Sequence, residues 1–206
     1  MSKIAVVTDS TTYMPSELVK KYNISVAPQV LIWGDETYKD GIDMDSREFF
    51  TRLKIAKIMP TTSQVSVVSF QEIFQHLVEN DFEVLALLIS AKLSGTIQSA
   101  VQAKELVGSA GEKIHIVDSQ SVAMALGFQV LAVARAIEQG ASLKEAIALA
   151  EKSYEYTGVF FAVDTLEFLH RGGRIGGAQR FIGTMLNMKP ILAIQDGRVD
   201  GIERIR

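Results

Sequence analysis

The run Glu83 to Ser90 is apolar almost without interruption, with Val84-Leu85-Ala86-Leu87-Leu88-Ile89 at its centre. A strand that shows water neither face reads in this way, and such strands belong to parallel sheets covered by helices on both sides. The rest of the chain fits that reading. Short β-branched runs at about Ile4–Thr8, Ile24–Ile32 and Ile114–Val117 alternate with helical patterns, as βαβ units do. The spacing predicts helices from near Pro15 to about Tyr22, Val67 to about Glu79, after the Ala91–Thr96 loop to near Gly108, Ser121 to about Gln139, and Ser142 to about Tyr156. Pro15 suits a helix start, Gly140 a C′ position, and Ser142 with Glu145 a capping box. Asp45 and Glu48 suggest another box. The stretch Trp33 to Asp45 reads as a polar loop.

After Gly158 the pattern changes. A strand at Val159–Val163 precedes the stretch His170-Arg171-Gly172-Gly173-Arg174-Ile175-Gly176-Gly177. A helix from about Ala178 to Leu186 follows, whose Phe181, Met185, Leu186 and Met188 suit a core face or the wall of a lipid tunnel. Asp196-Gly197 marks a hairpin turn. The expected organisation is an N-terminal α/β domain over residues 1–157 and part of a second α/β domain over 158–206, shortened at its C-terminal end because the return strand stops at Arg206.

Composition narrows the chemistry. The chain has no cysteine, so it has no disulfide, thiolate metal site or cysteine nucleophile. Its three histidines are scattered, which argues against a metal cluster. A formal charge of −3 gives no basic footprint for nucleic acid. No stretch has the roughly 18 consecutive apolar residues of a membrane span. A cytoplasmic protein without a metal or cofactor is the expectation.

Three hydroxyl-rich loops follow apolar strands: Thr8-Asp9-Ser10-Thr11-Thr12, Leu93-Ser94-Gly95-Thr96 and Asp118-Ser119. In open parallel sheets, ligands bind beyond the carboxyl ends of the strands. These loops are poor in acid–base groups, which suits holding an oxyanion better than breaking a bond. Ser94-Gly95-Thr96 lies at a helix start, where amides and dipole favour negative charge and Gly95 admits close backbone approach. Ser94 could equally be a plain N-cap. Thr61-Thr62-Ser63-Gln64 offers three hydroxyls and an amide, which could also satisfy their own backbone. Arg171 and Arg174 could form a fork for a carboxylate or phosphate, or lie on a solvated turn. Ser94 as an acyl-transfer nucleophile lacks a Gly-x-Ser-x-Gly elbow. A nucleotide-binding reading lacks both Gly-x-Gly-x-x-Gly and Walker A spacing.

The ordered set Val6-Val7-Thr8-Asp9-Ser10-Thr11, Tyr38-Lys39-Asp40-Gly41, Pro60-Thr61-Thr62-Ser63-Gln64, Leu93-Ser94-Gly95-Thr96, Val117-Asp118-Ser119, Arg171-Gly172-Gly173-Arg174-Ile175 and Leu186-Asn187-Met188-Lys189-Pro190-Ile191-Leu192 resembles the DegV family. That family of bacterial fatty-acid-binding proteins includes the binding subunits of fatty acid kinase. The resemblance spans essentially the whole chain. It implies a two-domain α/β fold that binds a long-chain fatty acid such as palmitate or oleate between its domains, with no catalytic residue of its own. By resemblance the carboxylate is held at Thr62, with Thr61 as neighbour, and at Ser94 beside Gly95. Arg171 is a secondary ligand contact, and Arg171 and Arg174 are candidates for docking a fatty acid kinase subunit. Family members usually run several tens of residues longer, completing the second domain and adding a histidine near the head group. Val65 stands where many relatives have proline.

Overall fold

The computed structural model describes residues 3–182 and 189–205. The expected Met185, Leu186 and Met188 face lies outside them.

A four-stranded parallel sheet forms the frame. Its strands are β1 (Lys3–Asp9), β2 (Ser25–Ala27), β6 (Phe82–Leu88) and β7 (Ile114–Asp118), in the order β2-β1-β6-β7. Both faces of β6 are buried, as its composition requires. Leu85, Leu87 and Ile89 pack on one side with Val6, Leu126, Val130 and Val133. Val84, Ala86 and Leu88 pack on the other with Val7, Phe70 and Phe74. Helices α5 (Ala123–Glu138) and α6 (Leu143–Lys152) cover the first face, while α3 (Val67–Glu79) and α4 (Thr96–Leu106) cover the second. Phe70 and Phe74 are fully buried and stacked at 5.4 Å between centroids. Truncating either to alanine should cost about 3–5 kcal/mol.

Local signals mark several of the boundaries. The Ser142–Glu145 capping box opens α6, and Asp45 accepts from the Glu48 N–H at 2.8 Å to open α2 (Ser46–Leu53). Gly140, at φ +96°, follows α5 as its C′ residue. Asp196 and Gly197, both at positive φ, join β9 (Lys189–Gln195) to β10 (Arg198–Ile205) in the two-residue turn such dipeptides favour.

Two small antiparallel sheets flank the frame. One comprises β3 (Val30–Trp33), β4 (Glu36–Lys39) and β5 (Thr61–Ser63), in the order β4-β3-β5. It corrects two expectations. The apolar run Ile24–Ile32 is not one strand: Pro28-Gln29 divides it into β2 of the parallel sheet and β3 of the small one. The supposed polar loop after Trp33 holds β4, whose Tyr38 and Glu36 pair with Leu31 and Trp33. Its polar composition reflects an edge strand, which packs little apolar surface. The other sheet, β10-β9-β8, includes β8 (Phe160–Ala162) and packs on Leu166, Ile175, Ala178 and Phe181. At the start of the helix expected from Ala178 to Leu186, a 3-10 segment spans Gly176–Phe181; residues 183–186 of that helix lie outside the described residues. Leu93 touches both the main core and this third cluster.

Candidate functional site

A cavity of about 730 Å³ lies where the three sheets meet. Volumes of roughly 300–1,000 Å³ are usual for small-molecule sites. The parallel frame contributes Thr11, Ile89, Leu93 and Ser94 from the loops beyond β1 and β6. The small sheet and α2 contribute Val30, Leu31, Phe49, Phe50 and the Thr62–Gln64 segment. The third sheet and its connections add Phe161, Phe168, Leu169, Ile194 and Val199. Most of the wall is therefore aliphatic or aromatic, with hydroxyl and amide residues, Thr11, Gln29, Thr62, Ser63, Gln64 and Ser94 among them, interspersed.

The residues expected from sequence fall into two groups. Thr62, Ser94 and Arg174 line the cavity; Thr61, Gly95 and Arg171 do not. Thr62 is held by its pairing with Leu31, which lines the same cavity. Ser63 and, just beyond β5, Gln64 also line it. Gly95 lies under the Gln64 amide, and a Cβ there would come within 3.2 Å of it. Its role is close packing beneath the wall. Gly95, not Ser94, is the N-cap of α4. Ser94 Oγ instead lies 2.8 Å from Thr96 Oγ1 and accepts the Thr96 N–H at 3.3 Å.

The arginines separate similarly. Arg171 pairs with Glu167 one helical turn away on α7 (Glu167–Arg171), at 2.5 Å. Arg174 donates Nε to the Leu93 carbonyl at 3.0 Å and Nη1 to the Gly172 carbonyl at 2.5 Å. Among the described residues, Arg174 is the cation on the wall, and Asp40 is the carboxylate. Asp40 accepts from Ser10 Oγ at 2.6 Å. Tyr13 lines the cavity too. Partial desolvation on the wall, then the Asp40 and Asp9 charges, pushes the half-exposed phenol above the ordinary range.

Sequence reasoning missed the polar network that joins Ser94 to Thr96, Gln29 and Asp9, of which Gln29 also lines the cavity. Gln29, only 8% exposed, donates Nε2 to Thr96 Oγ1 at 2.9 Å and to Asp9 Oδ1 at 3.3 Å. The fully buried Asp9 also accepts from the Thr11 N–H, the Thr11 hydroxyl and the Ile89 N–H. The signal available was the Pro28-Gln29 break inside an apolar run. No constellation of three or more metal-ligating side chains occurs among the described residues. No helix among them is long and apolar enough to cross a membrane.

A family model described as "Uncharacterised protein, DegV family" matches residues 3–206. The chain belongs to the DegV family. A DegV domain-containing protein of Caldanaerobacter subterraneus subsp. tengcongensis is 38% identical over 206 residues, covering 100% of this chain and 72% of the relative. Among solved structures, a fatty-acid-binding DegV family protein from Thermus thermophilus superposes with a TM-score of 0.90 at 37% identity, covering 99% of this chain and 72% of that one. DegV from Bacillus subtilis, described as a fatty acid binding protein, superposes at 0.88 with 34% identity, covering 100% and 73%. The α/β fold with its four-stranded parallel sheet is thus the DegV fold.

Proposed function

We propose that this DegV chain binds a long-chain fatty acid of the palmitate or oleate type in the cavity, with the carboxylate at Thr62 and Ser94. The observation that carries the reading is the cavity itself: a largely apolar wall that also carries Thr62, Ser63 and Ser94, with Arg174 bonded to the Leu93 carbonyl next to Ser94. The fatty-acid ligands of the Thermus thermophilus and Bacillus subtilis relatives support it. A buried carboxylate is costly unless charge-assisted hydrogen bonds satisfy it. Burying a tail of about 16 carbons, at ~0.8 kcal/mol per methylene, contributes on the order of 10 kcal/mol before entropic costs. The ligand lies between a domain of residues 1–157 and one beginning at residue 158. The protein is a cytoplasmic carrier rather than an enzyme. It presents the carboxylate to a fatty acid kinase subunit for acyl-phosphate formation, with Arg171 and Arg174 toward the partner. Lipid extraction of the purified protein, followed by titration with palmitate and oleate, tests the binding. An acyl chain in the extract and saturable binding are expected; neither appearing would refute the reading.

A further inference from the structure

We propose that Gln29 and Thr96 are positioning residues that turn the Ser94 hydroxyl into an obligatory donor, making the site selective for an anionic head group. The inference rests on the fatty-acid reading above and concerns how the proposed carboxylate site is polarised.

Proton counting along the network carries it. The Asp9 carboxylate accepts four hydrogen bonds, from the Thr11 N–H, the Thr11 hydroxyl, the Ile89 N–H and Gln29 Nε2. An ionised carboxylate is an acceptor only. That fixes the Gln29 amide, because the flipped orientation would set its carbonyl oxygen against Asp9. Both Nε2 protons are then committed, one to Asp9 at 3.3 Å and one to Thr96 Oγ1 at 2.9 Å. Thr96 Oγ1 has a single proton of its own and two acceptors in reach. Gln29 Oε1 is 3.4 Å away, beyond the usual range for a hydroxyl donor, whereas Ser94 Oγ is at 2.8 Å. The Thr96 proton therefore goes to Ser94. Ser94 Oγ receives the Thr96 N–H as well, at 3.3 Å. With two protons arriving, its own O–H has to point elsewhere, and Ser94 lines the cavity.

The chain of bonds thus runs Ser94, Thr96, Gln29 and Asp9, each donor enforcing the direction of the next; Gln29 also lines the cavity, but both of its Nε2 protons are committed to Asp9 and Thr96. Thr96 is fully buried, so solvent does not compete for its hydroxyl. A hydroxyl that accepts from a neighbour also becomes a better donor. A carboxylate uses that donor fully, with a charge-assisted bond roughly twice as strong as a neutral one. A neutral alcohol of equal chain length gains less.

The test compares palmitate with 1-hexadecanol, which share a chain length and differ at the head group. Affinities are measured by displacement of a fluorescent fatty acid from the full chain. Thr96→Val preserves shape and removes the hydroxyl; Gln29→Met removes the amide. Each is expected to lower palmitate affinity about fivefold, within the range of one hydrogen bond, and to leave hexadecanol affinity nearly constant. Thr96→Ser should restore the palmitate preference. A parallel loss for acid and alcohol would make both residues merely structural and overturn the proposal. Unchanged palmitate affinity in Thr96→Val and Gln29→Met, where Ser94→Ala weakens it, would overturn the relay alone and leave the carboxylate site standing. Wild-type protein that binds neither ligand would overturn the site and the relay together.

Discussion

Ser90 Oγ donates to the Gly197 carbonyl at 2.8 Å, joining residues 107 apart in sequence. The bond ties the tip of the β9–β10 hairpin to the end of β6. Lys92 Nζ reinforces it by donating to the Asp196 carbonyl at 2.7 Å. Ile194 and Val199, on either side of this turn, line the cavity, so the tie fixes one wall of the site.

Gly197→Ala should therefore loosen that wall. Gly197 has φ +73°, and an added Cβ would collide with Ser90 Oγ. We expect a loss of more than ~1 kcal/mol, seen as a melting temperature lowered by about 2–4 °C per kcal/mol, with weaker fatty-acid binding alongside. Ser90→Ala removes only the hydrogen bond and should cost about 1 kcal/mol. Chemical denaturation of both variants checks the order.

Ser94→Ala should weaken palmitate binding at least about tenfold, the cost of losing a hydrogen bond to a charged partner. Ser94 Oγ also accepts the Thr96 N–H and lies 2.8 Å from the buried Thr96 hydroxyl, so the ligand-free protein should lose about 1 kcal/mol of stability while staying folded. A large loss of stability with intact affinity would instead assign Ser94 a structural role.

Thr62→Val should reduce affinity more than Ser63→Ala. Both residues line the cavity, Thr62 opposite Leu31 and Ser63 opposite Val30, and the proposed carboxylate site is at Thr62. Valine keeps the threonine shape and removes the hydroxyl. Isothermal titration of the two variants decides between them, and the reverse order would move the head group toward Ser63.

Arg174→Ala should lower both fatty-acid affinity and kinase-dependent acyl-phosphate formation, because Arg174 stands on the wall against Leu93. Arg171→Ala should leave affinity within about twofold and reduce only the transfer, since Arg171 faces Glu167 instead. A binding titration paired with a coupled phosphorylation assay separates the two. Equal losses of binding in both variants would place Arg171 at the head group as well.

Ser142→Ala should destabilise α6 by ~1 kcal/mol at neutral pH and change the acid limb of stability. The Ser142 side chain, then its backbone N–H, holds the Glu145 carboxyl below the ordinary range. A lowered folded pKa stabilises above the unfolded value, and that contribution is lost as pH falls through the folded one. Removing the cap should thus make stability less dependent on pH below the ordinary carboxylate range. Denaturant melts across that interval measure it.

The sequence alone determined features set by neighbours along the chain. The unbroken apolar run of β6 demands two buried faces, and these exist. The Ser142–Glu145 box and the Asp196-Gly197 turn depend on residues within three positions of one another, so they could be read directly. The same holds for the hydroxyl loops beyond β1 and β6, which do reach a common cavity. Tertiary structure alone decided which sheet each strand joined. The run Ile24–Ile32 looks continuous, yet Pro28-Gln29 sends its halves into different sheets, because apolar pattern specifies burial and not a partner. It also decided which arginine faced the cavity, since Arg171 and Arg174 are equivalent in composition and differ only in what folds against them. Gln29 and Thr96 meet across 67 residues. Hydrogen-bond direction depends on atoms brought within about 3 Å, and only the packed chain supplies that distance.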